Sequence, residues 1–96
     1  MAKFFGGIDI EIITDLTKLP QKVASAQSEL EHSGLTGASY KALIYVGEQV
    51  VRGTNYWFIA EQTLTLATPE KHIVIVAINE FEGEYEIVKS SVVRII

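Results

Sequence analysis

Cysteine is absent from the chain, which excludes a disulfide framework, a thiolate nucleophile and any sulfur-ligated metal. Stability has to come from packing. Histidine is scarce as well: His32 and His72 are the two present, and neither falls into a His-x-x-x-His or carboxylate–histidine spacing that builds a metal site or a nucleophile–base pair. No glycine-rich strand-to-helix turn is there to cradle a phosphate. The expectation is a protein without catalysis, metal or cofactor. Eight basic residues face twelve acidic ones, a formal charge of -4, and no basic cluster exists to displace counterions from nucleic acid. The opening residues, Met1-Ala2-Lys3-Phe4-Phe5-Gly6-Gly7, lack the apolar stretch of a signal peptide or membrane span. Neither nucleic acid nor a membrane is expected as a partner, and the expected address is the cytoplasm.

What remains is the composition of an ordinary globular core. In 96 residues, 48% are hydrophobic and 21% charged, which suits one domain over 1–96 built from a layer of sheet and a helix. Ile8, Ile10 and Ile12 alternate with Asp9 and Glu11, the pattern of a half-buried first strand with its isoleucines on one side. From Leu16 the spacing changes to three and four residues through Leu19, Val23, Ala26 and Leu30, which predicts a long helix. Pro20 is tolerated in a first turn, with Thr17 as N-cap. His32 favours the helix end and Gly34 can close it, so the helix should stop near Ser33.

Beyond Gly37 the chain turns to β-branched and aromatic runs, Tyr40 to Val51, Thr54 to Leu66, His72 to Phe81 and Glu84 to Ile95, which predict four strands. Arg52-Gly53, Ala67-Thr68-Pro69-Glu70 and Glu82-Gly83 punctuate them as short antiparallel connections. Trp57 and Phe58 are adjacent in a strand and must face opposite ways. The plan is an α+β domain in which a five-stranded antiparallel sheet wraps around one long helix.

The segment Gln49-Val50-Val51-Arg52-Gly53-Thr54-Asn55-Tyr56 resembles the Q-V-V-x-G-x-N-Y signature of cystatins. It stands in the family's position, after a strand, a helix and a second strand, and the absence of cysteine is similar to the stefin branch. By this resemblance, Gln49, Val50, Val51, Arg52 and Gly53 would form a hairpin loop that enters the cleft of a papain-like, cathepsin-type cysteine protease. Phe5, Gly6 and Gly7 look like the family's N-terminal segment, with either glycine passing close to the enzyme and Phe5 or Phe4 filling an apolar pocket. The third contact of many secreted cystatins is a Pro-Trp pair on the last hairpin; here the turn reads Asn79-Glu80-Phe81-Glu82-Gly83, leaving Phe81 as its apolar candidate.

The resemblance implies reversible, competitive inhibition by a monomer, with no cofactor. It also implies that chains can swap the first strand, helix and second strand, forming a dimer that loses the Val50–Gly53 loop. Without the resemblance, the same hairpin reads as good strand formers around a permissive glycine, and a fold of this kind serves equally as a binding module with no protease target.

Overall fold

A computed structural model of the chain describes residues 7–33 and 37–93. Strand β1 (Ile8–Ile13) leads through a short 3-10 turn (Leu16–Lys18) to helix α1 (Gln21–Glu31), followed by β2 (Ala38–Val51), β3 (Gly53–Leu64), β4 (Glu70–Phe81) and β5 (Glu84–Val92). The strands form one antiparallel sheet in the order β1-β2-β3-β4-β5. The α+β plan of five strands and a helix is therefore present.

The helix buries Val23, Ala26 and Leu30, the inner stripe of the predicted spacing, against the sheet face carrying Tyr40, Ala42, Tyr45, Tyr56, Phe58, Ala60, Val74, Val76 and Ile78. Tyr45 and Phe58 meet as a tilted ring pair with centroids 5.5 Å apart, an arrangement favoured by the ring quadrupoles. Phe58 is fully buried while Trp57 takes the opposite face, as alternation requires. The helix is also tied to the sheet by polarity: the Glu31 carboxylate accepts the Ala42 backbone N–H at 2.8 Å. That N–H lies beside a bulge between Ala42 and Ile44, where an extra residue interrupts the ladder.

Two expectations need correction. The helix is not capped by Thr17 with Pro20 in its first turn; it starts at Gln21, and Pro20 stands at the N-cap position. Asp15 accepts both the backbone N–H and the hydroxyl of Thr17, at 3.1 and 2.6 Å, and closes the 3-10 turn instead. The cause is Leu19-Pro20: a residue before proline is pushed out of the helical region, and Leu19 is extended at φ -70, ψ 142. Leu16 and Leu19 still pack against the core from outside the helix.

The isoleucine stripe of β1 is the second correction. Ile8, Ile10 and Ile12 share a side but face solvent, Ile10 and Ile12 being 66% and 63% exposed. Pairing of Ile8 with Gln49 and Ile10 with Gly47 sets this face, and Ile13, which alternation puts on the opposite side, packs against the core. The predicted ends of the remaining strands shift by two residues or so, and the last stretch, 94–96, lies outside the described residues along with Gly34.

Candidate functional site

Three parts of the chain converge on one end of the sheet. The register places Ile8, Gln49, Asn55, Asn79 and Glu86 in a row across all five strands. Beyond this row project Gly7 before β1, the β2–β3 tip and the β4–β5 turn. Gln49, Val50, Val51, Arg52, Gly53, Phe81 and Gly7 are thus brought together. Phe4, Phe5 and Gly6 lie outside the described residues.

The β2–β3 tip is tight. Val51 pairs with Gly53, leaving Arg52 alone at the apex. Gly53 takes φ 78, a left-handed conformation that costs other residues roughly 1–2 kcal/mol. It also lies hard against β4, since a Cβ there would run into the Glu80 carbonyl oxygen and crowd Phe81 Cβ at 3.0 Å. Glycine is required here twice, for the turn and for the neighbouring strand. Val50 is 37% exposed, Val51 is half-buried and Arg52 is exposed.

The β4–β5 turn is made by Glu82 and Gly83, both with positive φ, the hairpin geometry whose twist matches its strands. Glu80 accepts the Gly83 N–H at 2.9 Å. The two hairpins touch through side chains. The Arg52 guanidinium sits 4.7 Å from the Phe81 ring centroid, a cation–π contact worth about 0.5–1 kcal/mol when exposed. Asn79 Nδ2 donates to the Arg52 carbonyl oxygen at 3.0 Å and to Asn55 Oδ1 at 2.9 Å. Asn55 Nδ2 donates to Gln49 Oε1 at 3.1 Å, and the Trp57 indole N–H reaches the same oxygen at 3.1 Å.

Between the hairpins lies an open cleft of about 630 Å³ lined by Arg52, Asn79, Phe81, Glu82, Glu84 and Glu86. Three carboxylates against one guanidinium make this flank acidic. Glu48 and Glu11 add negative charge near Tyr45, whose phenol is pushed well above the usual tyrosine range, first by burial and then by these neighbours. Among the described residues, no group of three or more His, Asp or Glu is placed to hold a metal ion, and no helix is long and apolar enough to cross a membrane. His32 packs its Nδ1 against the Ser28 carbonyl at 2.7 Å, and His72 Nε2 lies 3.2 Å from Glu70; neither is part of this edge.

The sequence reading passes over Asn79 as a site residue. Its one sequence signal is a polar side chain ending the run Val74-Ile75-Val76-Ala77-Ile78. The side-chain oxygen of Gln49 is engaged within the sheet. No family model, no curated protein and no solved structure matches the chain.

Proposed function

We propose that the chain is a reversible, competitive inhibitor of papain-like cysteine proteases, of the cystatin fold and stefin type. The observation that carries this reading is the seating of Gln49-Val50-Val51-Arg52-Gly53 on a tight tip, with Gly7 and the Phe81 hairpin at the same end of the sheet. A preformed, narrow, partly apolar edge loses little entropy on entering a groove. Val50, Val51 and the N-terminal segment through Phe5 and Gly6 would supply apolar burial, with Phe81 as a third contact. The tip would occlude the catalytic cysteine without offering a scissile bond in attack geometry, so the inhibitor does no chemistry of its own.

A monomer acting in the cytoplasm suits this role, since the fold needs no disulfide. Exchange of β1, α1 and β2 between two chains would straighten the tip and abolish the edge. The second reading is a non-inhibitory binding module of the same fold, favoured by the missing Pro-Trp pair and by the engagement of Phe81 with Arg52. The two separate on one comparison of Kd for papain among the parent, a deletion through Gly7 and Val50→Asp. Inhibition predicts that both changes weaken binding, each by at least tenfold. Equal affinity across the three variants rejects inhibition in favour of the module.

A further inference from the structure

Gln49, Asn55 and Asn79 are direct cross-strand neighbours on β2, β3 and β4, and their side-chain amides form a continuous ladder on the sheet face away from the helix. The ladder has a fixed polarity. At one end the Arg52 carbonyl can only accept, so Asn79 must present its NH2 there. At the other end the Trp57 indole can only donate, so Gln49 must present its oxygen. Asn55 then has one orientation that serves both neighbours, donating to Gln49 and accepting from Asn79. No amide in the row can flip without opposing two donors or two acceptors.

We infer that Asn79 is a positioning residue for the β2–β3 tip: through this ladder and its bond to the Arg52 carbonyl it clamps the tip onto β4, so that the last hairpin braces the first. The inference rests on the inhibitor reading for its consequence and on geometry for its substance. The β3–β4 register ends at the Thr54–Glu80 pair, so Val51, Arg52 and Gly53 project past it as a short two-stranded tip, which backbone pairing alone leaves free to twist. A bond from β4 to the apex carbonyl removes that freedom. Phe81 reinforces it by holding the Arg52 side chain from the same strand. In a chain without Pro-Trp on its last hairpin, β4 thus serves the edge by fixing Val50 and Val51 in place.

Asn79→Asp is the sharpest test, because it keeps the shape and removes both donors. The new carboxylate faces the Arg52 carbonyl, and rotating Asn55 to satisfy it turns the Asn55 oxygen onto Gln49. Asn79→Leu removes the donors without adding charge and stands in if the aspartate variant does not fold. Three quantities are read on each folded variant: amide hydrogen exchange at residues 51–54, emission of Trp57, the single tryptophan, and the rate of dissociation from papain. The expected result is exchange and dissociation each faster by roughly tenfold, the scale of one lost hydrogen bond, with red-shifted Trp57 emission and an association rate within about twofold of the parent. Val50→Ala is the contrast, expected to speed dissociation while leaving exchange at Arg52 and Gly53 and the emission unchanged. Parental exchange and emission in both Asn79 variants would overturn the inference. A parent chain that fails to inhibit papain overturns the inhibitor reading alone, and the clamp is then judged on exchange and emission.

Discussion

Gly53 carries more of the edge than any other residue. Its positive φ and its closeness to the Glu80 carbonyl mean that even a methyl group strains the turn and pushes β3 from β4. Gly53→Ala should lower stability by at least about 1 kcal/mol, read from the urea midpoint at unchanged slope. Tyr45 makes a different prediction at the same scale. Its phenol has a raised pKa in the folded chain against an ordinary value near 10.0, so folding favours the neutral form. Its contribution is complete below pH 10 and is lost as pH rises beyond it, at up to about 1.4 kcal/mol per pH unit. Tyr45→Phe should remove that slope in denaturation curves taken between pH 9.5 and 11.5, and an unchanged slope would assign it to other groups.

Helix α1 is held by two kinds of contact that mutation can separate. Leu30→Ala empties a fully buried position and should cost about 2–5 kcal/mol. Glu31→Ala leaves the Ala42 N–H without its carboxylate and should cost about 1–3 kcal/mol; both are measured by chemical denaturation. At this scale the sequence was informative wherever turn chemistry and period agreed. Four strands after Gly37, their antiparallel connections and the Val23-Ala26-Leu30 stripe follow from residue spacing, and so does the opposition of Trp57 to Phe58. The helix start was legible too, had the effect of Pro20 on Leu19 been weighed above the leucine spacing. The face of β1 was not: alternation says which isoleucines share a side, while the sheet register decides which side meets the helix. Asn79 escaped for a similar reason, its partners Arg52 and Asn55 lying 27 and 24 residues away in sequence.

In the whole molecule the sheet acts as a carrier that brings segments from residues 7, 49–53 and 79–84 to one end. The helix packs on the inner face of the same sheet through Val23, Ala26 and Leu30. The acidic cleft beside Phe81 gives this edge a sign: association with a protease whose rim is basic should slow as salt rises from 50 to 500 mM, through loss of steering. Glu82→Gln with Glu84→Gln should flatten that dependence in stopped-flow measurements, and an unaltered salt slope would place the steering charges elsewhere. The most direct measurement of the central claim is steady-state inhibition of papain by the purified monomer, with a Gly53→Arg variant of verified fold beside it. The account predicts competitive inhibition by the parent and a loss of at least a hundredfold in the variant; no inhibition by the parent at micromolar excess, or equal inhibition by the two, would contradict it.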